Sequence, residues 1–177
     1  MRRAVLAFAL AVAAPLHAQG LMADFHGDVR DVQQKLVGLA KAIPANKYNW
    51  RPGAGVRSVS EVFMHVASEN YFIPISMGKP APVETGMKDG DYKSIDAYTG
   101  KKRTKNQVIA ELEASFTHLH QAMSLTTDQN LGEHIKMFGQ DFTRQKAMVA
   151  TVTHLHEHLG QMIAYARSNG VVPPWSK

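Results

Sequence analysis

The chain has 177 residues, 45% of them apolar, and carries a formal charge of +5, a balance that favours a single globular domain. It contains no cysteine, which excludes disulfides, thiolate metal sites, lipidated-cysteine anchors and cysteine nucleophiles. Much of the positive charge sits in GKKRTK, residues 100–105; so short a run reads as a solvated loop or helix start, and no nucleic-acid partner is expected from it.

Residues 1–18, MRRAVLAFALAVAAPLHA, have the order of a secretory signal. Arg2 and Arg3 open it, an uncharged apolar run follows from Ala4 to about Leu16, and Ala18 is a suitable last residue before cleavage. The alternative is a short membrane anchor. The expectation is a periplasmic or secreted mature chain, residues 19–177, whose charge without Arg2 and Arg3 is two lower than +5, that is +3. No later stretch approaches the ~18 apolar residues of a spanning helix, so no stable membrane insertion is expected after signal removal.

Four segments carry a helical period. The first covers about residues 22–42, with Phe25, Val29, Val32, Leu36 and Leu39 at steps of three and four. The second starts near Ser58, which stands in the capping-box relation to Glu61, and continues through Val59, Val62, Phe63 and Val66 until Pro74 kinks or ends it. The third starts near Thr104, with Gln107 three residues on, and buries Val108, Leu112, Leu119 and Met123. The fourth runs from about Thr143 to Asn169, where Gly170 and then Pro173-Pro174 stop it. No segment shows sustained strand alternation. The connections are long, roughly 15 residues or more, where simple hairpins use about two to eight. The predicted fold class is therefore all-α, a four-helix bundle with long crossover loops.

The fourth helix contains His154, His156 and His158. At ~100° per residue His154 and His158 lie about 40° apart, while His156 lies about 160° from each and cannot share an ion with them. An H-x-x-x-H pair is the spacing at which one helix offers two imidazoles to one metal; the plainer reading is a core-edge pair bonded to carbonyls or water. Gln161 and Tyr165 continue the row. The second helix repeats the arrangement with His65 and Glu69, on the same shoulder of its apolar stripe. Two such helices could close a site of three neutral imidazoles, with a further position open to water or substrate. Of the other histidines, His118 and His120 diverge on their helix and are expected exposed, His26 is expected at a helix surface or core edge, and His134 in a loop.

The stretches NWRPGAGVRSVSEVFMHVASENY (residues 49–71) and HLHEHLGQMIAYARSNGVVPPWS (residues 154–176) resemble the DinB-like, or DinB/YfiT, metalloenzyme superfamily. The likeness covers about residues 22–176. It implies a helical bundle with one metal-binding histidine after a loop containing tryptophan and proline, and two more spaced by four before a Gly-Gln pair. In this chain those positions are His65, His154 and His158, followed by Gly160 and Gln161. The implied cofactor is a divalent transition metal, zinc or nickel foremost, with iron or manganese as alternatives. The implied chemistry is metal-dependent hydrolysis or thiol transfer on a small molecule whose identity the sequence does not give. The resemblance is compatible with a homodimer, though no segment identifies an interface.

Glu69, one turn beyond His65, is the nearest candidate for a general base. Trp50, Arg51 and Pro52 are expected to shape a wall near the metal, with Arg51 meeting an anionic substrate or pairing with Glu61 or Glu69, and Trp175 to fold the tail back over the bundle. A non-catalytic metal-binding module and an interaction bundle with incidental histidines remain compatible with the same residues.

Overall fold

The computed structural model describes residues 20–176; the expected signal segment, residues 1–18, lies outside them. The chain forms α1 (Leu21–Ala42), α2 (Val59–Ser76), α3 (Tyr92–Thr99), α4 (Lys105–Met123), a hairpin of β1 (His134–Met137) and β2 (Gln140–Thr143), and α5 (Arg144–Ser168). The all-α character and the long crossovers stand, but the described residues hold five helices, which corrects the expected four-helix bundle. The added helix, α3, lies in the second crossover, and the hairpin lies in the third. No helix among the described residues is long and apolar enough to cross a membrane.

The four long helices follow their apolar periods. α1 buries Phe25, Val29, Val32, Leu36 and Leu39 in one stripe. Its N-terminus is capped from a distance: Gly20 has no side chain to offer, and the Asp128 carboxylate accepts from the Met22 N–H at 2.9 Å. Ser58 and Glu61 form a complete capping box at the start of α2, as do Thr104 and Gln107 at the start of α4. α2 is buried nearly all round, polar Ser68 and Asn70 included, because α4, α5 and α3 all pack on it. Asn70 keeps its amide satisfied by donating to Ser115 Oγ at 3.1 Å.

α2 packs most extensively on α4 and α1 on α5, whereas the α2–α5 seam is the most thinly packed of those around the core. α3 rests on α2 beside that seam. It begins at Asp91, whose side chain accepts from the Lys93 N–H at 3.1 Å, and buries only Ile95 and Tyr98. The hairpin turns on Phe138 and Gly139, both at positive φ (53° and 71°), the two-residue turn whose twist suits paired strands.

Candidate functional site

His65 on α2 and His154 and His158 on α5 turn their rings into the open α2–α5 seam. Their ligand atoms all lie within 4.8 Å of one another. Ring centroids stand 5.2 Å apart for His65 and His154, 4.8 Å for His65 and His158, and 4.5 Å for His154 and His158, each pair edge-on. The Nε2 atoms of His65 and His154 are 3.2 Å apart. Two nitrogens held by one zinc ion at ~2.1 Å with tetrahedral angles would be about 3.4 Å apart, so these rings already stand close to a coordinating arrangement. The cluster is capable of coordinating a metal ion. His156, on the far side of α5, is exposed and takes no part.

The protonation states suit a cation. Burial, with Arg57 and the two other rings adding to it, pushes His65 down to about 3. Burial, then His158 and Arg57, pushes His154 down to about 4. Both rings are therefore neutral near pH 7 and keep a lone pair for a ligand. At His158 the tautomer follows from its partners. The Gln161 amide donates to Tyr165 Oη at 3.1 Å, which leaves its Oε1, 2.8 Å away, to accept from His158 Nδ1–H. The free lone pair of His158 is then on Nε2. Tyr165 in turn donates to the Arg57 carbonyl at 3.1 Å, and Trp50 packs edge-on against the Tyr165 ring at 5.2 Å. A chain of contacts thus runs from a ring of the cluster to the loop that precedes α2.

Glu69 is half-buried one turn beyond His65. Burial pushes its carboxyl up to about 7, against an opposing pull from Arg57. A cavity of about 350 Å³ opens beside these groups, with Arg57, His65 and Glu69 on one side and Tyr92, Ile95 and Thr99 of α3 on the other. A larger cavity of about 570 Å³, lined by Tyr71, Tyr98 and Glu111, lies between α4 and the α3 segment and has no histidine in its wall. Size does not decide between them; the convergent polar groups do.

The remaining expectations divide. Arg51 pairs with Glu61 at 3.1 Å and does not face the cavity, and Trp50 supports Tyr165 instead of forming a cavity wall. His134 is exposed on β1, paired with Asp141 at 2.6 Å, far in role from the cluster. His118, expected exposed, is buried against Tyr71 with ring centroids 5.3 Å apart, because the apolar face of α4 is broad enough to include Ser115 and His118 beside Leu119. His120 is half-buried, bonded to Gln33 at 2.8 Å and stacked on His26. The tail turns back onto α1, where Pro174 approaches Gly38, while Trp175 stays partly exposed. Arg57 and the α3 residues were not anticipated. The position of Arg57 immediately before the Ser58 cap is the available signal, since a residue there sits about two turns from His65.

A family model described as the DinB superfamily matches residues 29–162. Among solved structures, a DinB-like protein from Bacillus cereus is similar at 16% identity with a TM-score of 0.69, over 88% of this chain and 97% of that one. YfiT from Bacillus subtilis, described as a probable metal-dependent hydrolase with an unusual four-helix bundle topology, is similar at 15% identity with a TM-score of 0.68, over 90% of this chain and 95% of that one. A second DinB-like protein from Bacillus subtilis is similar at 17% identity with a TM-score of 0.60, over 84% of this chain and 93% of that one. These likenesses concern the fold. A search of the curated proteins finds no match to the chain.

Proposed function

The chain belongs to the DinB superfamily, and from that premise we propose that it holds a divalent transition metal on His65, His154 and His158 and acts outside the cytoplasm as a hydrolase or transferase of a small molecule. The convergence of three neutral imidazoles from two helices is the observation that carries this reading. Three nitrogen donors without a thiolate suit zinc or nickel first, and iron or manganese less well. The likeness to YfiT, itself described as a probable metal-dependent hydrolase, supports the hydrolase arm. The order of residues 1–18 supports export.

When bound, such an ion supplies Lewis acidity, making a water or a thiol on its open side acidic near neutral pH. The protein's own residues do the rest. His158 is held in one tautomer by Gln161, so its Nε2 faces the cluster. Glu69, which burial lifts to about 7 in the metal-free chain, stands beside the cavity in which a reacting molecule would sit and is the carboxyl placed to act there as a base. α2 and α3 supply the two walls between which that molecule would lie.

The test is elemental analysis of untagged protein spanning residues 19–177 beside a His65→Ala, His158→Ala double variant. The expected result is close to one transition-metal ion per chain, lost in the variant. Unmodified protein that neither carries nor takes up such a metal would end the reading. Turnover of esters, amides and thiol adducts then separates catalysis from storage: Glu69→Gln should keep the metal and lose most of the rate. Full activity in that variant removes Glu69 from the mechanism.

A further inference from the structure

We propose that Arg57 is a substrate anchor: it binds a carboxylate on the substrate while the substrate's reacting end lies at the three-histidine centre, with α3 forming the opposite wall. The inference rests on the reading of that centre as a metal site and adds the substrate class, a small carboxylate-bearing molecule.

Three observations carry it. Arg57 lines the same cavity as His65 and Glu69. Its side chain makes no hydrogen bond or ion pair among the described residues, whereas Arg51, six positions earlier, is committed to Glu61 and to the Val56 carbonyl. Its backbone is fixed: the Arg57 carbonyl accepts from Tyr165, and the capping box begins at the next residue. The exposed guanidinium is therefore free of protein partners, while the backbone that carries it is fixed at the cavity's edge.

Of the other charges of the cavity, Glu69 feels the Arg57 charge but forms no ion pair with it, and burial favours its protonated form, so Arg57 remains available. Glu61 serves the α2 cap and Arg51. Asp96 sits at the exposed outer rim and forms no ion pair with Arg57. The Ser58 and Glu61 amides are satisfied by the capping box and those of Val59 and Ser60 by the Trp50 and Tyr48 carbonyls, so no cluster of free donors suited to a phosphate dianion stands at the start of α2. A single planar guanidinium matches a carboxylate, by two parallel N–H···O bonds. The opposite wall offers the Ile95 side chain and the Tyr92 ring, suited to a short apolar spacer. At about 350 Å³ the cavity is near the lower end of the ~300–1,000 Å³ typical of ligand sites, which limits the substrate to a small molecule.

The experiment uses zinc-loaded protein and a series of dicarboxylates from malonate to adipate, each measured by calorimetry against the monocarboxylate of the same chain length. Zinc affinity is determined first for every variant. At least one dicarboxylate should bind about tenfold or more tighter than its monocarboxylate. Arg57→Gln should still load zinc yet lose that preference, and Arg57→Lys should retain part of it. An equal preference in Arg57→Gln, or no preference or no binding in the unmodified protein, overturns the anchor while leaving the metal reading in place. Tighter binding of the ω-amino acid than of the dicarboxylate of equal length overturns it in favour of Asp96. Absence of zinc binding is a separate outcome, and it removes the centre and the anchor together.

Discussion

Glu69 has an unusual carboxyl group, and its cost to the fold depends on pH in a definite direction. Its folded value of about 7 lies above the ordinary 4.5 because burial disfavours the charge. Below 4.5 the group is protonated in both folded and unfolded chains, and no penalty applies. As pH rises through 7 the folded state must either hold a proton the unfolded state has released or bury a charge, so stability is lost across that window. Metal-free Glu69→Gln protein should therefore match the unmodified protein in thermal midpoint near pH 4.5 and exceed it near pH 8, by a difference that grows between the two. A constant difference across that range would mean the carboxyl is not buried as described. Gln161 is the second informative residue. Its oxygen fixes the His158 tautomer, so Gln161→Leu should weaken zinc binding by about 10- to 100-fold in a competition titration, the usual effect of losing the partner of a ligating histidine. Gln161→Glu, which can still accept from Nδ1–H, should keep most of the affinity.

At the scale of elements, the long-range cap of α1 gives a measurable coupling. A Cβ on residue 20 would stand 1.9 Å from Asp128 Oδ2, so the carboxylate reaches the helix only because residue 20 is glycine. Asp128→Ala should cost about 1 kcal/mol in denaturant unfolding. Gly20→Ala should displace the carboxylate and forfeit the same contact, so the double variant should cost less than the sum of the two. This cap was not legible in the sequence, because its partners are over a hundred residues apart. The capping boxes at Ser58 and Thr104 were legible, because both halves lie within one turn. So were the four long helices and the shared row of His154 and His158, since periodicity accumulates over many residues. α3 escaped because eight residues with two buried side chains give too little period to register, although Asp91 before it and Gly100 after it were proper boundary residues. The hairpin escaped for a similar reason: its strands are four residues each, and the φ of 53° at Phe138 is a conformation that a phenylalanine gives no cause to expect. The meeting of His65 with the α5 pair was legible as a face on each helix; the cavity beside it was not, because its far wall is α3. Arg57 is not legible in place of Arg51, since loop residues follow no period and only the fold shows which guanidinium is occupied.

At the scale of the molecule, the histidines occupy the one seam around the core where packing is thin. α2 is fixed chiefly by α4, and α5 chiefly by α1, so the α2–α5 contact contributes least to holding either helix in place. Three polar rings facing one another across it add little cohesion of their own, being desolvated and, when neutral, able to satisfy only some of their nitrogens with each other. An ion shared between His65 of α2 and His154 and His158 of α5 would close that seam. Because the three-histidine geometry exists only in the folded chain, stabilisation by such an ion should follow mass action, about 2.7 kcal/mol at a free concentration a hundredfold above the dissociation constant. Thermal midpoint should then rise with zinc, return to its starting value with EDTA, and show no rise in His65→Ala. The change in hydrogen exchange should be local, with backbone amides of α2 and α5 near the cluster slowing more on metal addition than those of α1 and α4. Uniform slowing in all four long helices would indicate that the seam is already closed without metal and that the ion stabilises the fold only globally. A midpoint that rises equally in His65→Ala would place the ion elsewhere on the chain.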